Sequence, residues 1–337
     1  MSLALAAVAS TVASLALTSA VRSYDTQWAA SLAPNSRVEL PAGTYPGPWR
    51  LASGVHLAAA PGTVLQSGTG ADATLTLSGD AHIEGLTIEV APGGYGIRVG
   101  RGKAKLTRIH LAAGQPSKAA VYVAHAEVVI SGGQIDGFTD YGVLAERATR
   151  VAISGTSIRS VRAGVATVFS PTDVEGCTLV GPFSEAAIAL LHAPKARLTR
   201  NILSSVKTMG IKLTTSTATL SQNRVSGARG DAQGLEGSSL YALDSTLTLT
   251  ADQLGDPGTG SQGPVVYLVH STARLDGVRV EGASESLVYV AGKSTLTASN
   301  SELRGAPVGL AVEEGSIASE AGFRFVDVTR HVVSLPR

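Results

Sequence analysis

A short apolar strand returns along this chain at nearly constant spacing, and no other feature limits the fold so strongly. It is seen in "GGYGIRVG", "DYGVLAER", "AAIALLH", "TMGIKLTT" and "PVGLAVEE". Marking the first residue of each copy gives Gly96, Ala120, Gly142, Gly164, Ala187, Gly210, Leu240, Val265, Leu287, Gly309 and His331. The steps between them are 24, 22, 22, 23, 23, 30, 25, 22, 22 and 22 residues. A second apolar strand follows each marker by about nine residues, as in "AEVVISGGQI", "TRVAISGTSI" and "STLTASNSEL". Earlier turns run through "SRVELPAGTY", "SGVHLAAA" and "ATLTLSG".

Apolar residues alternate within each copy, which is the period of a strand rather than a helix. Val121 and Val123, Ile188 and Leu190, Ile211 and Leu213 then point one way, and Tyr122, Ala189 and Lys212 the other. Strand, turn, strand, turn, closed every 22 or so residues, is one coil of a parallel β-solenoid, which pairs its backbone with the coils above and below. About a dozen coils at ~4.8 Å each predict a rod about 60 Å long. Asn201 in "LTRNIL" and Asn223 in "LSQNRV" lie 22 residues apart, each three after an inward Leu, and are expected to stack as an internal Asn ladder.

Composition narrows the function. Among 337 residues the formal net charge is +1 and 16% are charged, so there is no basic field for nucleic acid or an anionic membrane surface. The single cysteine, Cys177, excludes an intrachain disulfide and a cysteine-cluster metal site, and its strand-like surroundings make it a small core residue. Residues 1–21 carry no charge and read either as the apolar part of a secretory signal or as an Ala-rich cap. We therefore divide the chain into 1–23, signal-like or capping, and 24–337, solenoid, with a secreted, periplasmic or envelope location expected. "SYDTQWAASL" is expected to form a short covering helix. "RFVDVTRHVVSLPR" ends in mid-strand, and a contact between copies or a further segment is expected there.

The run "SRVELPAGTYPGPWRLASGVHLAAAPGTVLQS" and the "YGI" and "YGV" strands resemble the coils of right-handed parallel β-helix proteins of the pectate-lyase-like superfamily, over about residues 30–335. The resemblance implies an all-β, single-stranded right-handed parallel β-helix. It also implies that substrate, when there is one, lies on the outer face of the marker strand. The outward positions there are Thr76, Arg98, Tyr122, Leu144, Ala166, Ala189, Lys212, Ala242, Tyr267, Tyr289 and Ala311. Arg98 finds no acid or base on the next coil.

Insertions in a repeat collect on its functional face, and the two longest, 226–239 and 255–264, flank the Leu240 strand. They surround Lys212 and Asp244 with Arg229, Asp231, Glu236 and Asp256, with Tyr267 and Tyr289 beyond. On a uronic-acid polymer a cation would neutralise the carboxylate so that a Lys, Tyr or Arg base removes the C5 proton. Tyrosine faces would stack on sugar rings. Paired carboxylates such as Asp231 and Asp244 would instead suit hydrolysis. The bland reading of the same residues is a solvated loop surface.

Known activities leave little trace. "DYGVLAER" is similar to the mannuronan C5-epimerase signature only at Tyr141, Gly142 and Val143, with Leu144 and Glu146 where that family has its catalytic Asp and His. "GIKLT" is similar to the polygalacturonase Arg-Ile-Lys strand at Ile211 and Lys212, without that family's acidic and His-Gly elements. His125, His192 and His270 occupy one place in their coils but lie three coils apart, about 14 Å, too far to share an ion.

The expectation is a β-helix that binds polysaccharide, acidic polymers included, without cofactor, metal or nucleic acid. Tyr122, Arg98, Glu236, Tyr267 and Tyr289 are its binding residues. The alternative is a lyase or C5-epimerase using Lys212, Arg229, Asp231 and Asp244.

Overall fold

The computed structural model describes residues 24–68, 70–160, 162–228, 237–256, 263–283 and 285–336. Among them the chain is a parallel β-solenoid of about 12 turns, the fold expected from the repeat. Each coil carries three strands rather than the two read from the sequence. One coil runs through Ala163–Val168, Thr172–Glu175 and Thr178–Val180, and the next through Ala186–Leu191, Ala196–Thr199 and Ile202–Ser204. Stacking gives three parallel sheets, here called first, second and third in the order the chain visits them.

The third strand was hidden because only a two-residue bend separates it from the second, so both read as one apolar run. The bend is made by a left-handed residue: Gly155, Gly176, Arg200, Gln222, Ala251 or Asn300, with φ between 51° and 59°. The residue after it turns inward and satisfies the backbone that the bend exposes. Thus Asn201 Nδ2 donates to Asn223 Oδ1 at 2.9 Å, and Asn223 Nδ2 to Asp252 Oδ1 at 2.8 Å. The backbone N–H of Cys177, Asn201 and Asn223 each donate to the side chain one coil on. The expected Asn ladder is present, and it continues into a carboxylate.

A second ladder lies inside the corner after the first sheet. Ser216, Ser245, Ser271 and Ser294 each accept the backbone N–H of the equivalent residue one coil earlier, at 2.9–3.1 Å. Three of them also donate to the carbonyl two residues back. Buried corner amides therefore keep partners without water.

Inward columns fill the space between the sheets. Ile97, Val121, Val143, Val165, Ile188, Ile211, Leu240, Val266, Val288 and Leu310 are all fully buried. Truncating one to Ala would cost about 2–5 kcal/mol from lost transfer and an unfilled cavity. The marker glycines have a steric cause. A Cβ on Gly210 would lie 2.2 Å from Val225 Cγ1 and 2.5 Å from the Ser239 carbonyl oxygen.

This register corrects one position in the sequence reading. Ile211 pairs with Leu240 and Lys212 with Tyr241, so the marker of that coil is Ser239, not Leu240. Ala242 points inward and is buried, and Tyr241 takes the outward place.

The helix expected in "SYDTQWAASL" is Thr26–Ser31, capped by Asp25, whose carboxylate accepts the Trp28 N–H at 2.9 Å. Trp28 meets the fully buried Trp49 edge to face at 5.3 Å. Residues 1–23 lie outside the described residues.

Asp252 is fully buried, and burial pushes its pKa from 3.8 up to about 6. A carboxyl with a raised folded pKa binds its proton more tightly in the native state. Its contribution is therefore complete below about pH 4 and lost as pH rises through 6, a swing of up to about 3 kcal/mol. Asp252→Asn keeps the acceptor for Asn223 and removes the titration, at the cost of the bond that Asp252 Oδ2 accepts from the Thr250 N–H at 3.1 Å. Urea unfolding should find wild-type stability declining as pH rises from 4 to 6, with that decline abolished in the variant.

Candidate functional site

The outer face of the first sheet carries a trough over its middle coils. Leu144, Ala166 and Ala189 face outward in one row, and Tyr141, Ala163, Ala186 and Met209, three residues earlier and so out of step with strict alternation, pack in one cluster with them. Their small side chains leave a depression of about 450 Å³ lined by Tyr141, Leu144, Ala166, Ala189, Leu191 and Lys212, among others. Most of the candidates read from the sequence lie elsewhere, on and around the long insertions where charged residues gather.

Both walls follow from the register. On the entry side, Lys118, Asp140, Arg162 and Glu185 each precede their strand by one residue, so charges of alternating sign climb the solenoid at the strand spacing. Arg162 Nε donates to Glu185 Oε2 at 3.1 Å and its guanidinium lies over the Tyr141 ring at 5.1 Å. Lys212 Nζ reaches the other Glu185 oxygen at 3.9 Å. On the far side stands the left-handed corner row His125, Arg147, Phe169, His192, Thr215, Asp244 and His270. Arg147 covers one face of the Phe169 ring, and His192 stacks on Phe169 at 4.5 Å and 6°. Phe169 and Leu191 remain 50% and 37% exposed, although large apolar groups usually gain from being covered.

Tyrosines extend the face beyond both ends of the trough. Tyr95 and Tyr122 stack at 4.9 Å, and Tyr241, Tyr267 and Tyr289 follow one another edge to face at 5.5 and 5.1 Å. Tyr241 was missed through the one-residue shift; its signal was the shared pattern of "SLYAL", "VVYLV" and "LVYVA". Tyr122 Oη donates to Glu146 Oε2 at 2.7 Å, and this bond, aided by burial, pushes its pKa up to about 12. Such a phenol holds its proton and is a poor base at neutral pH.

Of the residues expected to share a site, the described ones, Lys212, Asp244 and Asp256, stand apart. Lys212 stands at one end of the trough. Asp244 sits on the corner, three residues beyond Tyr241, the partner of Lys212, which is about 10 Å along the strand. Its carboxylate faces His270 Nδ1 at 3.5 Å. Asp256 accepts the Gly227 N–H at 2.8 Å and so ties down the turn of the coil before. Arg229, Asp231 and Glu236 lie outside the described residues. Arg98 does have an acid, on the preceding coil rather than the next: Asp72 Oδ2, at 2.6 Å. The three corner histidines are separated by Arg147 and Phe169, then by Thr215 and Asp244, and do not converge.

No protein-family model and no curated protein matches the chain. Among solved structures it is similar to the A-module of a mannuronan C-5 epimerase of Azotobacter vinelandii, at 12% identity and TM-score 0.47, over 90% of this chain and 91% of that one. It is also similar to a surface adhesin of Streptococcus pneumoniae, at 10% identity and TM-score 0.44, over 91% and 87%. A third is a periplasmic alginate epimerase, at 11% identity and TM-score 0.36, over 89% and 77%. None transfers the role of a residue to this chain.

Glu146→Gln should return the Tyr122 titration toward 10, as followed by ultraviolet absorbance of the phenolate. An unchanged high-pH step in that variant would mean that the hydrogen bond does not govern it.

Proposed function

We propose that this protein binds an extended polysaccharide along the outer face of the first sheet, in the trough over Leu144, Ala166 and Ala189. The observation that carries this reading is a long apolar floor bounded by exposed rings on one side and paired charges on the other. Sugar rings offer an apolar face and a polar rim, the complement of such a groove. Arg162 and Lys212 supply donors for hydroxyl or carboxylate oxygens, and the flanking tyrosines Tyr122, Tyr267 and Tyr289 lengthen the platform. Arg98 adds a cation beside Tyr122. A ligand of this kind fits the extracellular or envelope setting expected from the sequence.

A second reading rests on a chain of contacts along the entry side, from Tyr141 through Arg162 and Glu185 to Lys212, one residue on each of four successive coils. A charge neutraliser and proton-transfer groups on adjacent coils are what a uronate lyase or epimerase requires. Glu185 already neutralises both cations, so binding is the reading preferred. Of the catalytic set read from the sequence, Lys212 stands in this chain of contacts, Asp244 is too distant to act beside it, and Arg229 and Asp231 lie outside the described residues.

Isothermal titration with alginate, pectate, hyaluronan and a neutral glucan tests binding. Ala166→Arg, whose long side chain would fill the floor from an outward position, is expected to weaken the best ligand at least tenfold, with circular dichroism checking that it folds, and Tyr267→Ala several-fold. Equal affinity in Ala166→Arg and wild type would overturn the location. For the second reading, ultraviolet absorbance of unsaturated uronate should appear with wild type and vanish in Lys212→Ala; no absorbance with any acidic polymer removes the lyase.

A further inference from the structure

The outer face of the second sheet carries a group that the glycan reading does not use. His56 and His82 are register partners on neighbouring strands, Val55–Ala59 and Ala81–Glu84. Pairing at strand spacing forces their rings into a stack, with centroids 4.3 Å apart and planes 13° from parallel. Glu84 lies two residues beyond His82 and so on the same face. One ligand atom from each of the three lies within 4.8 Å of the others.

Two details separate this group from an ordinary surface stack. His56 Nε2 is buried from water yet makes no hydrogen bond, and it faces Glu84 Oε2 at 3.9 Å. A buried ring nitrogen without a partner is costly and uncommon. The other members are held from outside: Arg108 binds Glu84 Oε1, and Thr107 Oγ1 lies 3.2 Å from His82 Nε2. Fixing the far atom of a ligating carboxylate or imidazole is the usual work of the residues around a metal centre.

We propose that His56, His82 and Glu84 bind one first-row divalent cation, of which Zn²⁺ best suits two imidazoles and a carboxylate. Ligands on one tetrahedral ion stand about 3.5 Å apart, so the side chains would close by about 1 Å and the two rings would turn out of their stack to aim a nitrogen at the ion. The fourth position is left to water. Arg37 and Lys105 flank the two histidines in the same cross-strand row, both exposed, and their like charge would weaken the binding of a cation. The ion would clamp two successive coils near the start of the solenoid.

The test is calorimetric titration of untagged, chelator-stripped protein with ZnCl₂. One equivalent is expected to bind, weakened at least tenfold by His56→Asn or His82→Asn and unchanged by His125→Asn, a corner residue outside the group. Circular dichroism checks that the variants fold. Wild type loaded with Co²⁺ gives a reading independent of them: strong visible bands are expected from an imidazole-bound four-coordinate ion. The faint spectrum of the hydrated ion, or Zn²⁺ binding as tight in His82→Asn as in wild type, would overturn the proposal.

Discussion

Everything in this molecule hangs on the lateral hydrogen bonds between parallel coils. Each coil has little that could hold it alone. Its strands are three to six residues long over most of the rod, and it satisfies its backbone mainly through its neighbours. Once register is fixed between two coils, every side chain falls into a column with its equivalents above and below. Columns then impose their own chemistry: aliphatic inside, Asn and Ser at the inner corners, and rings or charges outside. The Asn and Ser ladders show how strict the constraint is. One side chain per coil serves the corner amide of the coil before it, and a corner without such a residue would leave a buried N–H unpaired.

The same constraint makes surface features one-dimensional. A Tyr in one coil meets a Tyr in the next at ring-stacking distance, and a Lys beside an Asp becomes a wall of alternating charge. Small residues at successive outward places become a trough rather than scattered dents. The sites inferred here have this origin: a column of Ala and Leu flanked by columns of charges and rings, and a pair of histidines in one row. Neither requires a loop insertion, although the sequence reading looked for the site among insertions.

Much of the fold could be read from residues alone. Spacing near 22 identified the solenoid, alternation assigned inner and outer faces, and Asn201 with Asn223 announced a ladder. The third strand escaped because the residue that bends the chain is Gly in some coils and Arg, Gln, Ala or Asn in others, so no single turn signal recurs. Tyr241 escaped because the coil before it is the longest, and marking its strand one residue late exchanged inside for outside. Arg162 and Glu185 escaped for another reason. They lie just before their strands, where partners are fixed only by inter-coil register. His56 and His82 were likewise 26 residues apart until pairing placed their rings in contact.

The central claim is that the first sheet's outer face is the ligand surface. A crystal structure of the protein soaked with an oligosaccharide of its tightest-binding polymer tests it most directly. The account predicts sugar density running along the solenoid axis over Leu144, Ala166 and Ala189, with rings against Phe169 or the tyrosines. Density on the second or third sheet, with this trough holding only water, would contradict it.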